Sequence, residues 1–228
     1  MTTKSIFITA TGTDVGKTYV SALLVKKMRE FGFNCGYYKP ALSGAIQQCD
    51  GSLLPGDCDF VVKMSNMDVN PMDCLSYCFE EAVSPHLAAF RKNVKIEKEV
   101  IKTDFLKLSR NYDYMIVEGA GGITCPFDLD NETLLLPDII KYLGLDILLI
   151  ADGGLGTINS VLLTVEYAKY HNLNIRGIIL NNFDKNNFMH IDNRKQVEKL
   201  TGIKVVSCVE INDLDLSIEI SDVLNLFE

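Results

Sequence analysis

Residues 6–18 read Ile-Phe-Ile-Thr-Ala-Thr-Gly-Thr-Asp-Val-Gly-Lys-Thr, and no other stretch narrows the choice of fold as much. An apolar strand runs into a turn of small residues, and Gly-Lys-Thr opens a helix. Backbone N–H groups of such a turn and of the first helical turn converge on an anion that the helix dipole also favours. Lys17 would reach the outer phosphates of a nucleotide, and the Thr18 hydroxyl would ligate Mg²⁺. The strict pattern G-x-x-x-x-G-K-[ST] is not met, because Thr11 occupies the first glycine position. An ordinary strand-to-helix connection can also contain Gly-Lys-Thr. The buried strand before it and the amphipathic helix after it favour a nucleotide site.

The rest of the chain fits a sheet that such a loop can serve. Apolar segments at 4–10, 35–39, 112–118, 145–151, 175–180 and 203–208 alternate with helical patterns at 96–110, 158–170, 190–200 and 216–226. Alternation of this kind predicts an α/β fold: one doubly wound, mostly parallel sheet with helices on both faces, as a single domain over residues 1–228. The run at 145–151 is almost continuously apolar, so its strand is expected to be buried on both faces. Pro40 is expected to stop the second strand after Lys39, and residues 45–56 to form an exposed loop. Ser84-Pro85-His86 reads as a helix start, with Ser as the cap and Pro in the first turn. His86 could face the site or serve structure alone.

In an open parallel sheet the carboxyl ends of the strands share one edge, where ligands bind. Lys17, Thr18, Lys39, Glu118 and Asn181 all fall at or just beyond such ends, so they can converge although distant in sequence. Lys39 could equally be a solvated lysine at a strand end. Glu118 is followed by Gly119-Ala120-Gly121-Gly122, a run that lets backbone approach a ligand, and its carboxylate suits a Mg²⁺ shell. Asp57, with Asp50 and Asp59 nearby, begins a short helix, where an acidic residue most often serves only as a cap. Two lysines and Mg²⁺ exceed what nucleotide binding needs; they suit phosphoryl transfer to an anionic acceptor.

Charge and composition exclude other classes. The net charge of −8 gives no electrostatic footprint for nucleic acid. No apolar run is long enough to span a membrane, and Met1-Thr2-Thr3-Lys4 enters a strand with none of the apolar stretch of a signal peptide, so a cytoplasmic location is expected. The seven cysteines are scattered without zinc spacing and are expected as reduced thiols.

In combination, Thr-Asp-Val-Gly-Lys-Thr (13–18), Tyr-Lys-Pro-Ala-Leu-Ser-Gly (38–44), Ser-Pro-His (84–86), Val-Glu-Gly-Ala-Gly-Gly (117–122) and Gly-Leu-Gly-Thr-Ile-Asn (154–159) resemble the dethiobiotin synthetase family of P-loop proteins along nearly the whole chain. The resemblance implies Mg-ATP-dependent closure of 7,8-diaminononanoate with CO₂ (or bicarbonate as its source) to dethiobiotin, ADP and phosphate. A carbamate and then a carbamic-phosphoric anhydride are the implied intermediates. It further implies Lys17 at the phosphates and Lys39 at the carbamate. Thr13 and Ser43 would contact the diamine or carbamate. Asp14, Val15, Gly16, Tyr19, Gly119, Ala120 and Gly121 would line the nucleotide, and Asn181 would read its adenine. Thr18, Asp57 and Glu118 would hold Mg²⁺. Leu155, Gly156, Thr157, Ile158 and Asn159 would meet the substrate of the neighbouring subunit in a homodimer. The family's usual Gly-x-x-Pro after the last strand is replaced here by Cys208-Val209-Glu210-Ile211. A partition-type switch ATPase, acting through a protein partner, shares such a sheet. It would carry a further lysine early in the loop, where this chain has Ala10, Thr11 and Gly12.

Overall fold

A computed structural model describes residues 3–131 and 133–228. In chain order the elements are β1 (Lys4–Ala10), α1 (Lys17–Glu30), β2 (Cys35–Ser43), β3 (Ile46–Gln47), β4 (Leu53–Leu54), α2 (Gly56–Met64), β5 (Leu75–Phe79), α3 (Pro85–Arg91) and α4 (Lys98–Ser109). They continue with β6 (Tyr114–Glu118), β7 (Pro126–Asp128), β8 (Leu134–Leu135), α5 (Leu136–Leu143), β9 (Ile147–Asp152), α6 (Thr157–Tyr170), β10 (Ile175–Asn181), α7 (Phe188–Thr201), β11 (Val205–Cys208) and α8 (Ile220–Asn225). Seven strands form one sheet in the order β11-β10-β9-β1-β6-β2-β5, and every ladder in it is parallel.

Continuous apolar runs make the centre of this sheet. Residues Ile6 to Ala10 of β1 and Ile147 to Ala151 of β9 are all buried. Strands covered on both faces have no need of a polar alternate, which is why these segments lack the alternation of a half-exposed sheet. Their side chains divide between two apolar clusters. Phe7, Val117 and Leu149 meet α3 to α7 on one face; Ile6, Ile8, Ile116 and Ile150 meet α1, α2 and α8 on the other. The doubly wound expectation is met. Strand β1 lies at the switch point, since the chain leaves it toward β6 and β2 and returns on the far side as β9. A crevice is expected where strand order reverses.

Four features differ from the sequence reading. Pro40 does not stop β2, which runs on to Ser43. Pairing with β6 ends at Tyr38↔Val117, and pairing with β5 passes from Lys39↔Leu75 to Ala41↔Tyr77, so the proline falls where neither register needs its missing N–H. The 45–56 loop contains a short antiparallel hairpin, β3 with β4. Strand β5 and helix α5 are additional elements. The last helix is shorter than the 216–226 pattern: it begins at Ile220, and Leu216 is buried ahead of its first turn.

Leu149→Ala on β9 is expected to destabilise the chain by about 2–5 kcal/mol, the usual cost of such a truncation in a closed core. Urea unfolding measures it. A cost no larger than that of an exposed leucine would show β9 to be open on one face.

Candidate active site

The loop from β1 to α1 closes over the switch point because Gly16 can take φ 88°, a left-handed conformation that costs glycine little. A Cβ there would also stand 2.1 Å from Asn181 Nδ2, so neither the backbone nor the space admits another residue. That amide donates to Val15 O at 3.0 Å and ties β10 to the loop. Lys17, at the first helical position, is buried, and its ammonium donates to Gly12 O at 3.1 Å. Burial lowers its pKa, an effect that Glu118 opposes and Lys39 reinforces.

Beneath the loop lies a cavity of about 440 Å³. Thr13, Asp14, Gly16, Lys17 and Thr18 line it from the loop and α1, Lys39 and Ser43 from β2, and Asp57 from α2. Glu118, Ala120 and Gly121 complete it from the end of β6. Of the residues expected to converge at the strand ends, Lys17, Thr18, Lys39 and Glu118 meet in this cavity, and Asn181 does not line it. Val15, Tyr19 and Gly119 do not line it either; the Tyr19 hydroxyl donates to Asp213 O.

Glu118 is the centre of the polar contacts. Its carboxylate is fully buried and accepts three hydrogen bonds. Oε1 accepts from Thr18 Oγ1 at 2.8 Å and from Lys39 Nζ at 2.6 Å, while Oε2 accepts from Tyr37 Oη at 2.9 Å. Lys39 Nζ also meets Asp57 Oδ2 at 2.8 Å, so one ammonium bridges two carboxylates. Burial alone would lower the Lys39 pKa. The charges of Glu118 and Asp57 outweigh it and raise the pKa above the ordinary lysine range.

The neighbouring acids are elsewhere. Asp50 accepts from its own turn at Ser52, and Asp59 pairs with Lys63 at 2.7 Å. His86 does not face this cavity. It contacts Ser84 Oγ at 3.0 Å in the first turn of α3 and borders a separate hollow beside Asp128. Residues 155–159 also lie outside the cavity, at the start of α6. The sequence reading missed Ala41 and Leu42, which line the site because β2 continues past Pro40, and Tyr37, which had no signal beyond an aromatic in an apolar run.

The donor set is one of hard oxygens: a threonine hydroxyl and two carboxylates already drawn around a single cation. Such a set suits Mg²⁺. With two buried lysines facing the same space, the arrangement can bind phosphate and stabilise negative charge that passes between oxygens.

A family model described as an AAA domain matches residues 4–215. A protein of Clostridium botulinum (strain Eklund 17B / Type B), named ATP-dependent dethiobiotin synthetase BioD, is 47% identical over 225 residues, 99% of this chain and 98% of its own. Its counterpart in strain Alaska E43 / Type E3 is 48% identical over 95% of each chain. Among solved structures, a ParA family ATPase from Chlorobium tepidum TLS superposes with a TM-score of 0.52 at 17% identity, covering 91% of this chain and 83% of that one. The signal recognition particle receptor FtsY from Elizabethkingia anophelis, in complex with GDP, gives 0.58 at 11% identity, with 100% and 65% covered. The last two likenesses are of fold alone, so the switch-ATPase alternative is not favoured. Identity near one half along almost the full length decides the matter: the chain belongs to the ATP-dependent dethiobiotin synthetase family.

Proposed function

We propose that this chain closes 7,8-diaminononanoate with CO₂ into the cyclic urea dethiobiotin at the expense of ATP, within one P-loop domain. The observation that carries the reading is the meeting of two buried lysines, Lys17 and Lys39, with Thr18, Asp57 and Glu118 in one cavity. One amine of the substrate adds to CO₂, forming an N–C bond and losing a proton to give a carbamate. A carbamate oxygen then bonds to the γ-phosphorus of ATP as the bond to ADP breaks. The second amine attacks the carbonyl carbon of the resulting anhydride. Phosphate leaves, the amine proton is lost, and the ring is closed.

Each residue has a part that its position supports. Lys17 holds the outer phosphates and steadies the charge moving between oxygens. Lys39 steadies the carbamate and its anhydride, with Thr13 and Ser43 beside the same substrate. Asp14 to Tyr19 and the Gly119-Ala120-Gly121 backbone embrace the nucleotide, and Asn181 lies on its adenine side. Thr18, Asp57 and Glu118 would hold Mg²⁺, which when bound neutralises phosphate charge.

The second half of the proposal is a homodimer. Asp152 Oδ1 accepts from Gly154 N at 2.7 Å, Asp152 Oδ2 accepts from Asn182 Nδ2 at 2.8 Å, and Asn193 Nδ2 donates to the carbonyls of Gly153 and Gly154. This firmly held loop ends in Leu155, which is 92% exposed, and Leu163 and Tyr170 on α6 and Phe188 at the start of α7 are exposed as well. An apolar face of this kind fits a second copy, whose substrate residues 155–159 would meet. No helix among the described residues is long and apolar enough to cross a membrane, and we place the enzyme in the cytoplasm.

Phosphate release with ATP, Mg²⁺ and bicarbonate should depend on added diaminononanoate, and mass spectrometry should find the cyclic urea. Release indifferent to the diamine would overturn the reading. Lys39→Gln keeps an N–H donor beside the carboxylates but removes the charge; turnover should fall on the order of 10²-fold or more with nucleotide binding nearly intact. Unchanged turnover would remove Lys39 from the reaction. Leu163→Glu should convert a dimer to monomer in sedimentation equilibrium; a dimer that persists would place the interface elsewhere.

A further inference from the structure

Tyr37 is fully buried, and its hydroxyl has one partner in the site, Glu118 Oε2 at 2.9 Å. Sheet geometry brings this about. Residues two apart on a strand share a face, so Tyr37 and Lys39 project on the same side of β2. The pairing Tyr37↔Ile116 places Glu118 two residues along β6, on that same side. The phenol and the ammonium therefore approach the carboxylate from successive positions of one neighbouring strand.

A glutamate needs such help. Its last torsion joins an sp³ to an sp² carbon, so its energy well is broad and nearly two-fold. Left to itself, the carboxylate could present either oxygen to the cavity. Here Oε1 faces Thr18 and Lys39, and Oε2 is taken by Tyr37. We propose that Tyr37 is a positioning residue for the metal-binding carboxylate: by donating to Oε2 it sets the carboxylate plane and turns Oε1 toward Thr18 and Lys39, where Mg²⁺ would take the place of the Thr18 hydrogen bond. The inference rests on the reading of Glu118 as a metal ligand given above.

The adjacent tyrosine provides a comparison. Tyr38 is also buried, but on the opposite face, where its hydroxyl contacts Ser76 Oγ at 2.6 Å and donates to Ile101 O at 2.9 Å. Loss of either phenol removes a buried hydrogen bond from β2, and only one of them touches the site.

The test measures binding of a fluorescent N-methylanthraniloyl ATP to the full chain, with Mg²⁺ titrated and with EDTA. In Tyr37→Phe the Mg²⁺ concentration for half-maximal enhancement should rise on the order of tenfold, the usual scale for groups that orient metal ligands. Affinity in EDTA should stay unchanged. Tyr38→Phe should leave the Mg²⁺ midpoint in place even where it lowers the melting temperature, and in a Glu118→Gln background Tyr37→Phe should add no further shift. A wild-type midpoint in Tyr37→Phe, an equal shift in Tyr38→Phe, or a full extra shift in the Glu118→Gln background would overturn the proposal. Should Tyr37→Phe be recovered unfolded, 4-aminophenylalanine at this position retains a donor. Folded protein with the wild-type midpoint is then expected, and a shifted midpoint would overturn the role. A wild-type protein whose nucleotide binding ignores Mg²⁺ would overturn both this inference and the metal role of Glu118.

Discussion

A carboxylate that water cannot reach must be neutralised where it stands, and the carboxyl edge of this sheet is arranged around one. Taking such a group out of water costs several kcal/mol even after relaxation, roughly, and a single counter-ion repays that only with good geometry and further hydrogen bonds. Glu118 has both. Its three donors come from two elements besides its own, Thr18 from α1 and Tyr37 and Lys39 from β2. The loop that cradles phosphate, the strand that carries the second lysine and the strand that ends in the acid are thus fixed to one another by a single side chain. A shift in any of them would leave part of a buried charge unpaired.

The same constraint explains the unequal partners of the two lysines. Lys17 donates to a neutral carbonyl, Gly12 O, and feels the charge of Glu118 without pairing with it directly, so its ammonium is available to a phosphate. Lys39 is held between two carboxylates of different standing. The Glu118 side chain is fully buried, whereas 42% of the Asp57 side chain is exposed. An ion pair partly open to water is worth little, while breaking a buried one is costly. An anion that arrives beside Lys39 can therefore displace Asp57 far more easily than Glu118. In the proposed reaction that anion is the carbamate, and Lys39 can turn to it without leaving the acid that anchors it.

How much of this could be read in advance depended on whether the signal was local. The turn from β1 to α1, the strand end at Glu118 and the central apolar strands are short-range patterns, and they were legible. Asp57 could have been told from Asp59 by helical geometry: positions two apart point to nearly opposite sides, and Asp59 has Lys63 one turn on as its partner. Strand β5, Leu-Ser-Tyr-Cys-Phe, has mixed burial at the sheet edge and carries no clear period. Helix α5 was hidden because Leu134-Leu135-Leu136 looks like a strand until Pro137 takes the first turn. Tyr37 was beyond reach, since an aromatic in an apolar strand looks like core until the partner of its hydroxyl is known.

The fold itself decides little about the chemistry. A ParA family ATPase and FtsY superpose on this sheet at 17% and 11% identity, so the frame serves proteins of quite different description. What matters in this chain is where positive charge is placed on that frame. One lysine stands on the phosphate loop, as the Gly-Lys-Thr pattern requires. The other stands on β2, two residues from Tyr37 and beside Glu118, and a loop that only binds nucleotide makes no demand for it. A buried ammonium at that place is costly to assemble, needing two carboxylates and a strand that carries past Pro40 to present Ser43 to the same cavity. That arrangement becomes intelligible once the space beneath the loop has to hold a second anion as well as the nucleotide.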